Sequence, residues 1–465
     1  MFDEIITFIK KRYTSIPTSL LNVAGFFYYL IPAKKRYGIV FNETWEMLEK
    51  TEKLTENEKD ILIDELFINT LRNAIQNVPY YKEIAEERGL AIDQFSSIKD
   101  IDLLPFLDKE IINNQGRKMI SETADENRII IKHTSGSTGK PLALYFDKST
   151  EMREWANVLH LWKRVGFNWD SSRVVLRGAV FKNQKKGKNY QWDALRRDLS
   201  LNIHDMSEDN CKLYCRLIEK YKPEFIYGYP SAIFQLCHYI DEHEKLQHHF
   251  KAALTMSETV TDSMREYIEK ILETRVYSFY GHTERAAIAG ECESNTHYHI
   301  EPTYGYIELI DENDDAIEDE RPGEIVVTGF TNDVMPLIRY RTGDIGQWDL
   351  SDCNDGYYRK KLKRVQGRTA DFFFDKDKTS QNVSAYRYNS FWKYKVLQFQ
   401  FIQNEYGIVE LNCVCENDYS EEDEKGLEEL LMEDSFGKIK FNINKVKQIK
   451  SGENGKTRLV IQKLK

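Results

Sequence analysis

The chain has 465 residues, enough for a large core and more than one domain. Apolar residues make up 41% and charged residues 30%, the balance of an ordinary soluble globular protein. A net charge of −10 gives the molecule as a whole no electrostatic footprint for nucleic acid. Seven cysteines without a CxxC pair suit free thiols in a reducing compartment.

Near the start, "LLNVAGFFYYLI" (residues 20–31) is apolar and flanked by Lys10, Lys11, Arg12 and by Lys34, Lys35, Arg36. It is shorter than the roughly 20 residues that span a bilayer. No small-residue cleavage site of a signal peptide follows it. The reading is a packed apolar helix in a cytoplasmic protein, and the basic flanks over 16–36 permit contact with an anionic membrane surface, at its inner face. Residues 41–120 read as helices, with "DELFINTLRNAIQNV" at helical spacing and closed by Pro79.

From about 128 to 290 strands and helices alternate. "RVVLRGAV" and "EFIYGY" read as buried strands, and "SAIFQLCHYIDEHEKL" and "DSMREYIEKILE" as helices, which predicts a layered α/β domain. Cys211 and Cys215 lie one helical turn apart, and Cys413 and Cys415 share a strand face; both pairs read as packing. "YGYIELIDENDDAIEDERPGEIVVTGF" is two strands joined by an acidic turn, opening a β-rich region that leads into "MPLIRYRTGDIG". Beyond a boundary near 367–371 come "VLQFQFIQ", "IVELNCVC", a helix over 421–433 and a last strand "TRLVIQKL", a smaller α+β unit. The expected domains are 1–367, with 1–120 a mostly helical entry, and a small mobile 368–465.

Four stretches carry chemistry. "IIIKHTSGSTGKPLALYF" (129–146) sets small, hydroxylated residues and Lys140 between two apolar segments. It lacks the spacing of the phosphate loop that opens a helix, and "PLALYF" reads as a strand. A strand–loop–strand phosphate cradle and a plain flexible turn weigh equally on these residues alone. "YSFYGHTERAAIA" puts Glu284 after a buried strand and a glycine turn, where a carboxylate can hold Mg²⁺; a solvated helix start is the ordinary alternative. "YRTGDIG" puts Asp344 in a tight turn, suited to accept from the hydroxyls of a ribose. "SGENGKTRLVI" presents Lys456 at a hairpin tip, where an exposed turn lysine is the commoner case.

In this order and separation the set resembles the adenylate-forming ligase superfamily, and within it the phenylacetate–coenzyme A ligase family in its capsule-biosynthesis (CapK-like) branch. The resemblance runs from about residue 70 to the end, through "LRNAIQNVPYYKEI", "LLPFLDKEIINNQ", "TSGSTGKP", "YGYPSAIF", "MSETV", "YGHTER", "RYRTGD", "GRTAD" and "GENGK". It implies an enzyme that joins a carboxylate to the α-phosphate of ATP, expels pyrophosphate and passes the acyl group to a nucleophile. By that similarity Thr134, Ser135, Gly136, Ser137, Thr138, Gly139 and Lys140 wrap the β- and γ-phosphates, and Glu284 holds Mg²⁺. Thr283 lines the α-phosphate. Tyr280, beside Gly281, lies against the adenine, Asp344 fixes the ribose with Arg368, and Lys456 swings in to neutralise the reacting centre. Tyr227, Tyr229, Pro230, Ser257 and Glu258 are expected at the acyl pocket, although tyrosines beside glycine and proline are as often core packing.

The chain departs from the family pattern in two places. Ala370, followed by Asp371, stands where the hinge between half-reactions is typically Asp or Lys. The glycine-containing loop that borders the thiol tunnel is replaced by "FFFDKDKTSQNVSAYRYN". Transfer to an amine or hydroxyl during polysaccharide assembly is therefore expected ahead of a thioester with coenzyme A, and an idle nucleotide-binding scaffold is the third reading. Some relatives carry a zinc-like Cys/His cluster. Here Cys292, His297, His299 and Cys353 are ligands of the right type, but "CND" replaces a CxC or CxxC at Cys353.

Overall fold

The computed structural model describes residues 25, 27–133, 142–177, 189–243, 245–353, 355–368, 372–376, 380–383, 386, 388–450 and 457–464. The chain divides into two compact units: Met1–Arg36, Val165–Ser278 and Asp371–Lys465 in one, Tyr37–Arg164 and Phe279–Ala370 in the other.

In the first unit the alternation read from the sequence becomes a parallel sheet. Its order is Tyr190–Asp193, Asp198–Leu201, Arg173–Leu176, Phe225–Gly228, Ala252–Thr255 and then Val276–Ser278; all pairs are parallel except the edge pair of Tyr190–Asp193 with Asp198–Leu201. Arg173–Leu176, Phe225–Gly228 and Ala252–Thr255 are buried throughout, which is why they read as continuous apolar runs rather than alternating ones. The helices Glu208–Tyr221, Pro230–Glu242 and Asp262–Leu272 make the crossovers. A Cβ on Gly228 would lie 2.1 Å from the carbonyl oxygen of Leu176, so close strand approach requires glycine there. Arg173 and Asp198, both buried, pair through two hydrogen bonds of 2.8 Å between neighbouring strands.

The same unit holds the predicted C-terminal α+β element. Its sheet runs Lys440–Lys445, Ile408–Cys415, Val396–Glu405, Val460–Gln462, antiparallel in the centre and parallel at both edges. The helix Glu421–Asp434 starts at a Ser420/Asp423 capping box. Phe373, Phe391, Phe399 and Phe401 fill the core. Cys413 and Cys415 are buried in it, and Cys211 and Cys215 pack in the parallel-sheet core, as their spacing predicted.

The second unit contains the helical entry. The helix Glu56–Asn77 is opened by a Thr55/Glu58 capping box. Pro79 does more than close it: it is the first residue of the next helix, Pro79–Arg88, where its missing N–H costs nothing. Ile130–His133 and Ala143–Phe146 pair antiparallel on either side of the glycine-rich stretch, so the "ALYF" part of "PLALYF" is a strand as read. An antiparallel sheet follows, in the order Gly305–Ile310, Pro322–Gly329, Tyr340–Trp348, Lys361–Arg368, Tyr298–Ile300, Ile288–Gly290 and Phe279–Gly281. Among the described residues no helix is long and apolar enough to cross a membrane.

Candidate active site

Thr134, Ser135, Gly136, Ser137, Thr138, Gly139, Lys140, Lys456, Ala370, Asp371 and the basic residues before position 25 lie outside the described residues. The remaining expected nucleotide residues gather in the second unit.

Glu284 follows the strand Val276–Gly281 in a turn closed by the Arg285 N–H donating to the His282 carbonyl at 3.1 Å. Arg285 takes a left-handed φ of 56°, and the chain then enters the strand Ile288–Gly290. Glu284 is therefore not a solvated helix start. It is 6% exposed. The Tyr340 hydroxyl donates to its Oε1 at 3.0 Å, and His282 Nδ1 lies 3.3 Å from its Oε2. Burial pushes the carboxyl up, but the His282 hydrogen bond and charge, its own backbone N–H and the Lys109 charge outweigh burial and hold it down to about 2. Among the described residues no Lys or Arg reaches ion-pair distance of it. An ionised, buried carboxylate fixed by a neutral hydroxyl and a single imidazole is the kind of hard oxygen donor that suits Mg²⁺. Gly281, the last residue of that strand, and Thr283, in the turn, are both exposed, so the Thr283 hydroxyl is open to a ligand.

Asp344 is corrected in one respect: it lies within the strand Tyr340–Trp348, not in a turn. The irregularity sensed in "TGD" is a β-bulge, with Gly343 at φ 76° and a register shift between Asp344 and Ile345. The Asp344 N–H donates to Thr342 Oγ1 at 3.0 Å, and the Tyr280 hydroxyl donates to Asp344 Oδ2 at 2.9 Å. Burial and then the Asp344 charge push the Tyr280 phenol well above its ordinary value, so it stays a donor. Arg368 is the Cα partner of Asp344 on the adjacent strand.

The expected acyl residues lie in the first unit, at the carboxyl ends of parallel strands, where ligands of open α/β sheets bind. Tyr227 is 6% exposed; its hydroxyl meets Met256 Sδ at 2.6 Å and accepts from Arg177 at 3.0 Å. Tyr229 is core, and Pro230 is a buried first residue of the helix Pro230–Glu242. Ser257 is exposed at φ 67°. Glu258 accepts from the Ser231 N–H and hydroxyl, both at 3.1 Å, so this carboxylate satisfies an otherwise orphaned donor at a helix N-terminus. The Thr457 N–H also donates to it at 2.6 Å, which fixes the residue after Lys456 beside the "MSETV" stretch.

The suspected Cys/His cluster forms with one exchange. Cys292, His299, Cys353 and Asp355 place their ligand atoms within 4.8 Å of one another. Cys292 Sγ and Cys353 Sγ are 4.0 Å apart, Cys353 Sγ and Asp355 Oδ2 2.8 Å, and His299 Nε2 and Asp355 Oδ2 3.2 Å. His299 Nδ1 bonds the Tyr358 carbonyl at 3.2 Å, which presents Nε2 to the cluster; that nitrogen is buried and makes no hydrogen bond among the described residues. Donors of a tetrahedral Zn²⁺ site with bonds of about 2.0–2.3 Å stand roughly 3.3–3.8 Å apart; the three distances here scatter on both sides of that range, so the donor types suit such an ion and the side chains would have to shift by up to about half an ångström to hold it. His297 is not part of it and pairs with Asp349 instead. Asp355 stands where the missing second cysteine of a CxC was sought.

Sequence reading missed His282, Tyr340, Ser231 and Asp355. His282 and Tyr340 stand inside quoted motifs, but local pattern gives no sign that their side chains meet Glu284. A cleft of about 310 Å³ lined by residues including His238, Asp241, Trp392 and Asp418 contains none of the expected site residues.

The profile of the CapK C-terminal domain matches residues 378–463. The protein CapK of Staphylococcus aureus is 27% identical over 439 residues, 93% of this chain and 94% of that one. Phenylacetate-coenzyme A ligase of Pseudomonas putida is 27% identical over 312 residues, 65% and 69% of the two chains. The fold matches the crystal structure of 2-hydroxyisobutyryl-CoA ligase in its postadenylation state with TM-score 0.69 at 16% identity, covering 89% and 91%. With its motifs in order and its site residues on these strands, the chain has the fold of these AMP-bound acyl-CoA ligases and resembles, in sequence, CapK and the phenylacetate–coenzyme A ligases.

Proposed function

We propose that the protein activates a carboxylic acid with ATP as an acyl adenylate, releasing pyrophosphate, and transfers the acyl group to an amine or hydroxyl acceptor in cell-surface polysaccharide biosynthesis. The observation that carries this reading is Glu284, an ionised carboxylate 6% exposed and held on both oxygens. Burying such a charge is costly unless a cation joins it.

A carboxylate oxygen attacks the α-phosphorus, the bond to pyrophosphate breaks, and the acceptor then takes the acyl carbon as AMP leaves and the acceptor's proton passes to solvent. Both partners of the first step are anions, so positioning and electrostatics dominate. Mg²⁺, when bound, neutralises phosphate charge. Glu284 is the residue that would hold it. Thr283 offers its hydroxyl to the α-phosphate, Asp344 and Arg368 take the ribose, and Tyr280 keeps Asp344 in place while its ring faces the adenine. Residues 134–140 are assigned to the terminal phosphates and Lys456 to the reacting carboxylate, within a small mobile domain 368–465 that works against a large domain 1–367. Tyr227, Tyr229, Pro230 and Ser257 are assigned to the acid, with Glu258 holding the helix start beside them. The polysaccharide setting is supported by the end-to-end likeness to CapK, and work at the cytoplasmic membrane surface is supported by the basic residues Lys34 and Lys35 near exposed Phe27 and Leu30.

The alternative acceptor is coenzyme A, favoured by the likeness to phenylacetate-coenzyme A ligases. Pyrophosphate exchange over a panel of carboxylates tests the first half. Exchange with at least one acid supports it; ATP binding with no exchange for any acid leaves an idle nucleotide-binding protein. Mass spectrometry after adding coenzyme A or amino sugars then separates a thioester from an amide or ester.

A further inference from the structure

The strand order singles out one place in the first unit. Arg173–Leu176 lies between Asp198–Leu201 on one side and Phe225–Gly228 on the other, and the sheet continues from there through Ala252–Thr255 and Val276–Ser278. A chain that leaves its first strand in one direction and returns on the other side opens a crevice at that switch. The crevice lies beyond the carboxyl ends of the two strands concerned, here Arg173–Leu176 and Phe225–Gly228. Arg177 is the first residue past one of these ends, and Tyr229 the first past the other.

Arg177 is half-buried, and among the described residues no carboxylate comes within ion-pair distance of it. Its Nη1 donates to the Tyr227 hydroxyl at 3.0 Å, and its guanidinium carbon lies 5.7 Å from the centre of that ring. Arg173, on the same strand, differs in spending two donors on Asp198. The Tyr227 hydroxyl gives its own hydrogen to Met256 Sδ at 2.6 Å, which leaves its oxygen to accept from Arg177. Burial pushes that phenol up despite the Arg177 charge, so it stays neutral and does not offset the guanidinium. Arginine does not lose its proton in proteins, and its remaining donors keep the planar fork that matches a carboxylate.

We propose that the acid substrate carries a second carboxylate, and that Arg177 selects it by pairing with that group at the end remote from the reacting carboxylate. This rests on the assignment of the acid to Tyr227 and its neighbours above, and adds the substrate class to it. The reacting carboxylate is unsuited to the same contact. Clamped by charged hydrogen bonds it would be stabilised before reaction, and its attack on phosphorus would slow. Tyr227 serves as the brace: one bond and one ring face fix the guanidinium while its other donors point to the ligand.

Pyrophosphate exchange by the full chain tests this, over acids paired for length with and without a second carboxylate: succinate and butanoate, glutarate and pentanoate, adipate and hexanoate, and longer or aromatic pairs. The best diacid is expected to exceed its monoacid partner about 10- to 100-fold in kcat/KM, the size of one charge-assisted pair. Arg177→Met is expected to raise KM for that diacid by a similar factor and to erase the preference. Arg177→Lys is expected to keep part of it, since lysine retains the charge without the fork. An acid with a single carboxylate as the best substrate of the whole panel would overturn the proposal. Equal loss for diacid and monoacid in Arg177→Met would also overturn it, and would leave Arg177 a support for Tyr227. ATP binding with no exchange for any acid would instead sink the adenylation reading itself. Thermal melts of each variant separate misfolding from lost selectivity.

Discussion

Tyr340 donates its hydroxyl to Glu284 Oε1 at 3.0 Å across 56 residues of sequence, from a position with no solvent exposure. That hydrogen bond, from a different strand, fixes the orientation of the carboxylate, while the His282 hydrogen bond and charge do most to hold it ionised against burial. A cation ligand requires both properties.

Glu284→Gln is accordingly expected to lower pyrophosphate exchange about 100- to 1,000-fold, with a smaller, roughly tenfold loss for Tyr340→Phe. The stability of the carboxylate gives a second readout. Its folded pKa of about 2 lies below the reference value of 4.5, so the ionised form contributes stability above pH 4.5 that is lost as pH falls toward 2. Urea melts between pH 5 and 3 should show the unaltered protein losing stability more steeply than Glu284→Gln. Parallel slopes would contradict the assignment of that low pKa.

Lys456→Ala is expected to abolish adenylate formation and leave ATP affinity largely intact, because a mobile point charge acts on the reacting centre rather than on the resting nucleotide. Single-turnover assays beside equilibrium binding decide this. Equal loss of both would mean the lysine is misplaced, even though the Thr457 N–H is fixed on Glu258 at 2.6 Å.

Elemental analysis of protein purified without chelator should find about one Zn²⁺ per chain, with Cys353→Ser and Asp355→Ala each reducing it and His297→Ala leaving it in place. Removal of the ion should lower the melting temperature, since the metal joins the segment at Cys292 to those at His299 and Cys353. Absence of metal in the unaltered protein, or loss on changing His297 alone, would rule out this donor set.

Arg173→Met should cost about 3–5 kcal/mol in denaturant melts, because it leaves Asp198 buried and unpaired. Burial already pushes the Asp198 carboxyl up despite the Arg173 charge beside it. Replacing Asp198 as well should return part of the loss. If the double variant is no more stable than the single, the buried pair is worth more than its desolvation cost.

Sequence periodicity accounts for much of the architecture. Fully buried parallel strands such as Phe225–Gly228 show as unbroken apolar runs, and helices such as Asp262–Leu272 announce themselves by spacing, because each is fixed by contacts along one short segment. Order and spacing of the motifs likewise carry the superfamily, since each motif is a local loop whose small residues permit close approach to a ligand. Asp344 shows where that stops. The local pattern registers a glycine irregularity but cannot tell a turn from a bulge, a distinction set by the neighbouring strand.

The chemistry of the site is decided by distance in space. Whether Glu284 is solvated or buried depends on Tyr340 and His282, whether Glu258 faces substrate or a helix start depends on Ser231, and Asp355 joins the cysteines only because strand pairing returns the chain beside His299. The residue types and their order are written in the chain; their partners, protonation and burial arise from hydrogen bonds closed over long loops. No local pattern encodes those closures, because the energy that selects them is released only when the strands have packed.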